Sequence, residues 1–271
     1  MNFAMWKKAL NVIPDVTKEE WDGLDVISKW LISTRSAVLI MTFISAALAG
    51  LFAWRDGSFQ FLPWLALVFG LIMAHASNNI FNDYTDFVRG VDKDNYYRTM
   101  YGAQPVASGL MTKRQHLTYF VVTGILAMTA GFYLVWQTGF STTTWILLGL
   151  GSFFVLFYTW PLKGLALGEV AVLMVWGPLM IGGGYFVLAG QWNWSVVIAS
   201  LPYVLGVTTV IFGKHIDKIQ IDRSKKIYTL PVVIGEKAAR YTVMAMMILP
   251  YLFTGYLIAT KFFTPIMLIV L

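Results

Sequence analysis

The sequence predicts an all-α protein, a polytopic bundle of transmembrane helices, and three observations predict it. Of 271 residues, 58% are hydrophobic and only 13% are charged, against roughly 45–50% and about 25% in ordinary soluble domains. The apolar residues gather in runs of about 20, the length that crosses a bilayer as a helix. The positive charges lie almost wholly between alternate runs, the pattern that membrane topology imposes. This much apolar surface cannot hide in one aqueous core, so lipid is the expected solvent. The chain contains no cysteine, which excludes disulfides and thiolate metal sites.

Residues 1–33 form the first unit, a cytoplasmic or interfacial N-terminal helix region. They begin MNFAMWKKALNVIPDVTKEEW, which interleaves charges with aromatics. There is no apolar run followed by a small-residue cleavage site, so this is not a signal peptide. Thr17-x-x-Glu20 matches a capping box and predicts a short helix from about Lys18. Trp6, Trp21 and Trp30 beside Lys7, Lys8 and Lys29 suit a helix lying at the membrane interface; a solvated helix fits equally well.

Residues 34–271 form the membrane domain. Full spans are predicted at about 34–54, 59–80, 116–136, 143–160, 165–189, 194–213 and 238–259. An eighth starts near Phe262 and meets Leu271 before it can cross, so the predicted bundle is C-terminally shortened. With these spans, 18 of the 20 Lys and Arg residues fall on one side, leaving Arg55 and Lys261 on the other. The bias puts the N-terminus on the cytoplasmic side of a cell membrane. It also accounts for the formal charge of +6 as a topology signal. The lipid bilayer is thus an expected partner and nucleic acid is not.

Two long polar loops lie on the charged side, after the second and sixth spans. Loops of this length are usually functional or disordered, and aromatic and β-branched residues in both argue against disorder. If the second span continues as a helix, Asn79, Asn82, Asp83 and Asp86 share one face. Carboxylates and amide oxygens converging at a membrane boundary are costly unless paired or metal-bound. Such hard oxygens suit Mg²⁺, which takes one or two carboxylates together with substrate phosphates. Gly90 is expected to end this helix and turn Asp92 back toward the site. The plainer alternative is an acidic helix end balanced by Arg89 and Lys93.

The second loop mixes acids with an excess of bases. Asp217 and Asp222 are five apart, about 140° around a helix, whereas Lys218 and Asp222 share a face. Lys214, His215, Asp217, Lys218 and Asp222 sit next to the end of the sixth span and are expected to bind an anion and a metal. Lys225 and Lys226 read instead as a solvated, topology-setting pair. Together the two loops suggest a diphosphate bridged by metal and flanked by cations. No phosphate-binding Gly-rich loop, zinc-protease signature or nucleophile triad is present.

The segment Asn82-Asp83-Tyr84-Thr85-Asp86, with Arg89-Gly90-Val91-Asp92 after it, resembles the first Asp-rich motif of the UbiA superfamily of intramembrane prenyltransferases. Tyr158-Thr159-Trp160-Pro161-Leu162-Lys163, then Gly168-Glu169 and Gly177-Pro178, resembles the branch that prenylates 1,4-dihydroxy-2-naphthoate for menaquinone. Asp222-Arg223 and Thr229-Leu230-Pro231-Val232 are similar to the end of the second motif. Pro105, Ser108 and Gly109 match a pattern found across the superfamily. The likeness runs from the first span to the seventh.

The resemblance implies a UbiA-type helix bundle with a central cavity. It also implies Mg²⁺-dependent transfer of a polyprenyl group from its diphosphate to an aromatic acceptor. On that basis Asn82, Asp83, Asp86, Asp92, Asp217 and Asp222 are the metal candidates. Arg35, Asn79, Lys214 and Lys218 are the substrate-binding candidates, and Asp83, Asp86, Tyr158 and Lys163 the catalytic ones. One departure matters: the family's second motif is DxxxD, and here Lys218 stands where its first Asp belongs, with Asp217 one residue early. Either a helix bulge restores Asp217, or Lys218 contacts the diphosphate directly in place of part of a second Mg²⁺.

Two other readings remain at this stage. A prenyltransferase could use 4-hydroxybenzoate, a chlorophyllide or a glycerol phosphate as acceptor. A secondary transporter could use the same acids, but its acids belong mid-span, whereas these cluster beyond span ends.

Overall fold

The computed structural model describes residues 1–91 and 102–270, and Asp92 lies outside them. Among the described residues the chain is helical throughout, with one isolated parallel bridge between Leu165 and Tyr228. Three short helices come first: α1 (Phe3–Asn11), α2 (Lys18–Asp22) and α3 (Val26–Ser33). The expected capping box is formed at α2, where the Thr17 hydroxyl accepts from the Glu20 amide and the Glu20 carboxylate accepts from the Thr17 amide. Trp21 is buried in a small cluster with Leu24, Leu31, Leu110 and Met111. Its ring therefore packs inside the protein and does not anchor in the interface.

Asp25 fastens this unit. It caps α3 through the Ser28 amide and accepts from the Asn2 amide at 2.6 Å and from Trp6 Nε1 at 3.1 Å. Desolvation pushes its pKa up, but the hydrogen bonds from Ser28, Asn2 and Trp6 outweigh it and hold the carboxyl well below its ordinary 3.8. A depressed carboxylate contributes stability above its unfolded pKa, lost as pH falls through the folded one. Docking of α1 should therefore persist through neutral and mildly acidic pH and weaken only in strong acid. Asp25→Ala should release α1 at pH 7, measured as faster limited proteolysis of residues 12–17; unchanged cleavage would refute the anchor.

The larger helices follow: α4 (Leu39–Arg55, led by a 3₁₀ turn at Ser36–Val38), α5 (Phe61–Val88), α6 (Lys113–Gln137), α7 (Thr142–Phe157), α8 (Gly168–Ala189), α9 (Trp194–Ile216) and α12 (Glu236–Ala259). Two short helices, α10 (Ile219–Ser224) and α11 (Leu230–Ile234), lie between α9 and α12. Six of these helices are long and apolar enough to cross a membrane; α7, with 16 residues, is shorter. All seven expected spans thus appear as helices, and the fourth is shorter than expected. Past α12 the chain forms a 3₁₀ turn over Pro265–Val270.

Helix α5 packs along α6, and α9 along α12. The main core joins α4, α8 and α9 through Ala49, Phe52, Trp176, Ile181, Tyr185 and Val204. Small residues let these backbones approach, as is usual where helices meet in lipid. A Cβ on Gly184 would lie 2.9 Å from both Ala49 Cβ and Leu67 Cδ2. Within α8, residues Val175–Gly182 form a π-helical stretch around Pro178, where the missing N–H breaks the regular ladder. On the outer surface Ile40, Leu51, Ile125, Met247 and Leu252 remain exposed, as a lipid-facing surface requires.

Candidate active site

The helix alternation brings the start of α4, the C-terminal ends of α5, α7 and α9, and α10 to one end of the bundle. Helix α5 carries on well past the expected end of its apolar run. Its stop at Val88 is a Schellman motif: Gly90 is left-handed at φ +69°, the Val91 amide bonds the Asp86 carbonyl at 2.9 Å, and the Gly90 amide bonds that of Phe87 at 3.0 Å. The continuation gives Asn79, Asn82, Asp83 and Asp86 their shared face. Asp83 and Asp86 are buried, at 3% and 2% exposure.

Each of three buried carboxylates meets a cation. Asp83 accepts from Arg35 Nη2. Asp86 accepts from Lys163 Nζ with both oxygens, at 3.1 and 2.9 Å. Asp222 lies 3.9 Å from Lys218 Nζ. Arg35, Lys163 and Lys218 are themselves only 5–7% exposed. Pairing is what makes charges tolerable in such surroundings.

The local backbone explains how each cation arrives. Arg35 sits in the left-handed region at φ 53°, a cost a non-glycine residue accepts only when its surroundings fix it. Asn79 does the fixing: its Nδ2 donates to the Thr34 carbonyl at 2.9 Å while Asp83, one turn on, holds the guanidinium. Asn79, a substrate-binding candidate from the sequence, uses its amide nitrogen to shape the Arg35 turn. Lys163 lies on a 3₁₀ turn, Leu162–Gly164, whose amide bonds the Tyr158 carbonyl at 2.9 Å. Gly168 leaves room for it, since a Cβ there would sit 3.2 Å from Lys163 Cα. Tyr158 is half-buried within electrostatic reach of Glu169 and Asp86.

In the second loop Asp217 and Lys218 face different ways. Asp217 caps α9 and is exposed, and no hydrogen bond or ion pair joins it to the cluster. Helix α9 ends without a bulge, and Lys218, the N-cap of α10, turns inward one helical turn before Asp222. Of the two, Lys218 is the inward-facing residue and Asp217 faces outward. Lys214 is half-buried in the last turn of α9. Lys225, read as a solvated charge, instead donates to the Val91 carbonyl at 2.6 Å and ties the second loop to the end of α5. Lys226 is exposed, as expected.

One pairing carried no sequence signal. Glu169 and His215 are 46 residues apart and bond through Oε1 and Nδ1 at 2.6 Å, both almost fully buried. The second Glu169 oxygen accepts from the Leu230 amide at 3.4 Å. Helices α8, α9 and α11 are thereby fixed together beside the lysines.

Do these residues suit Mg²⁺? Among the described residues no three His, Asp or Glu side chains converge enough to hold a metal ion by themselves. Mg²⁺ does not need that; it keeps water and takes one or two carboxylates with the phosphates of its substrate. Asp83, Asp86 and Asp222 offer hard oxygens. Asn82 adds a buried Oδ1 with no hydrogen-bond partner among the described residues. The donor set fits a hydrated ion that arrives with a phosphate-bearing ligand.

Known proteins resemble this chain in sequence and in fold. A protein of Drosophila melanogaster, "UbiA prenyltransferase domain-containing protein 1 homolog", is 23% identical over 80% of this chain and 59% of its own length. The "1,4-dihydroxy-2-naphthoate octaprenyltransferase" of Escherichia coli is 27% identical over 78% of this chain and 70% of its own. This chain thus spans between about three-fifths and seven-tenths of those relatives. Among solved structures, "a UbiA homolog from Archaeoglobus fulgidus bound to GPP and Mg2+" superposes with TM-score 0.62 at 14% identity, covering 86% of this chain and 78% of that one; that likeness establishes the fold. Residues 43–271 match the profile of the UbiA prenyltransferase family. With the helical bundle and its apolar spans, the chain belongs to that family and is a multi-pass membrane protein.

Proposed function

We propose that the protein transfers a polyprenyl group from its diphosphate to an aromatic acceptor such as 1,4-dihydroxy-2-naphthoate, with Mg²⁺. The observation that carries the reading is the set of three buried carboxylate–cation pairs at one end of an apolar bundle. Carboxylates that engage a divalent ion and cations that engage a phosphate are what diphosphate departure needs. A transporter would hold such groups at mid-span; here they close the helix ends. The naphthoate acceptor rests on the branch motifs and on the name of the bacterial relative. The charge bias favours a cell membrane with this end, and residues 1–33, on the cytoplasmic side.

In this scheme bound Mg²⁺ would neutralise charge on the departing diphosphate. Asp83, Asp86 and Asp222, with Asn82, would hold it. Arg35, Lys163 and Lys218 would face the phosphate oxygens, stabilising the charge that develops as the C–O bond breaks. Asn79 would act through Arg35, whose turn it holds. Tyr158 would face the allylic carbon or the acceptor. The apolar walls of the bundle would keep water from the allylic cation.

Membranes carrying the protein, given radiolabelled prenyl diphosphate, Mg²⁺ and a panel of acceptors, should form prenylated product. EDTA should stop the reaction, and Asp86→Ala should lower turnover by at least about 10²-fold. Product formation indifferent to both changes would refute the reading.

A further inference from the structure

Helix α5 carries one more polar residue on the face that holds Asn79, Asp83 and Asp86. His75 lies one turn before Asn79, eight residues before Asp83 and so about 12 Å deeper along the helix. Its Nδ1 is 2.7 Å from Thr42 Oγ1 on α4, and its ring meets that of Trp176 on α8 edge to face, with centroids 5.1 Å apart. Thr42 and Trp176 are buried, yet the imidazole packed against them is only half-buried, so space reaches its free edge. Trp176 belongs to the π-helical stretch of α8, an irregularity often found at functional sites.

Hydrogen-bond accounting fixes the imidazole proton. The Thr42 hydroxyl is fully buried, and His75 Nδ1 is its one partner among the described residues. A buried donor left unpaired is rarer than an acceptor left underused. The hydroxyl therefore donates to Nδ1, and the neutral ring carries its proton on Nε2. That N–H has no acceptor among the described residues. Neither has Nε1 of Trp176, a side chain only 9% exposed. Neighbouring polar groups are engaged: Tyr203 donates to the Met41 carbonyl and Asn78 to that of Val155. Two unmatched N–H groups in one ring pair call for an oxygen. A prenyl chain carries none and would leave both unpaired; an aromatic acceptor carries several.

Resting on the prenyltransferase reading, we propose that His75 and Trp176 bind the aromatic acceptor through one of its oxygens, at the end of the ring system away from the reacting carbon. With diphosphate held at Asp83 and Asp86, about 12 Å of helix accommodates the allylic carbon and one bicyclic aromatic between the leaving group and the imidazole. Thr42 is a positioning residue: it orients the imidazole and keeps the proton on Nε2. The pair thereby sets how deep the acceptor sits and which of its carbons faces the allylic end.

Equilibrium dialysis of the purified full chain in nanodiscs, with Mg²⁺ and non-reacting farnesyl thiolodiphosphate present, tests this without turnover. The probes are 1,4-dihydroxy-2-naphthoate and the three analogues that each lack one of its oxygen groups. The wild type should lose about 10-fold in affinity when the contacted oxygen is missing, the scale of one hydrogen bond. His75→Leu and Trp176→Phe should weaken the complete acceptor by a similar factor and no longer distinguish that one analogue from it. His75→Gln, which keeps an N–H, should retain part of the distinction. Melting temperatures and farnesyl thiolodiphosphate affinity should stay near wild type. Variants that weaken all four probes equally, or none, overturn the inference, as does a loss confined to farnesyl thiolodiphosphate; the prenyltransferase reading then stands. Wild-type protein that binds none of the four probes overturns the inference and the naphthoate acceptor together.

Discussion

Lys163→Met is expected to lower prenyl-transfer turnover by about 10²–10³-fold, the scale seen when one preorganised electrostatic contact is removed from a reacting centre. Lys163 holds both oxygens of Asp86, with the two side chains 9% and 2% exposed. Methionine keeps the unbranched length and removes only the ammonium. The carboxylate left behind has lost its partner in a buried setting, where breaking a pair costs on the order of 3–5 kcal/mol. The melting temperature of the purified protein should therefore fall in the same variant. Added Mg²⁺ should recover part of that stability and little of the turnover, because the ion can neutralise Asp86 but cannot take the place of the ammonium against the leaving group. A variant with wild-type turnover would show that the Lys163–Asp86 pair is structural alone.

The second large effect concerns Glu169 and His215. Glu169→Leu or His215→Leu should each destabilise the protein by about 2–4 kcal/mol, since each strands a buried polar partner. The double variant should lose much less than the sum, because two apolar groups in contact strand nothing. Melting temperatures of the four proteins complete the cycle. Strict additivity would mean that the 2.6 Å contact contributes no coupling. Activity should follow stability closely in Glu169→Gln, which keeps an acceptor for the His215 ring.

Much of this was legible in the sequence. The spans were legible because lipid demands continuous apolar helices and leaves no other way to satisfy a backbone. The α2 capping box and the Gly90 stop are local hydrogen-bond chemistry, and the structure forms both where the residues indicated. Asn79, Asn82, Asp83 and Asp86 could be placed on one face because a helix has a fixed period. Trp21 was less legible, since an interfacial and a buried tryptophan look alike in a short amphipathic stretch.

What the sequence by itself determined is therefore whatever repeats along one helix or one turn: the order of the apolar helices, the charged side of the bundle, and the acid-bearing face of α5. Only the tertiary structure decided which charge meets which. It paired Asp83 with Arg35, Asp86 with Lys163 and Glu169 with His215 across 48, 77 and 46 residues, and it gave Asn79 to the backbone of Thr34. It also turned Lys218 inward and Asp217 outward. The physical reason is that helical periodicity is set by neighbours three and four residues away, whereas a buried charge finds its partner wherever packing brings one, and no spacing in the chain encodes that distance.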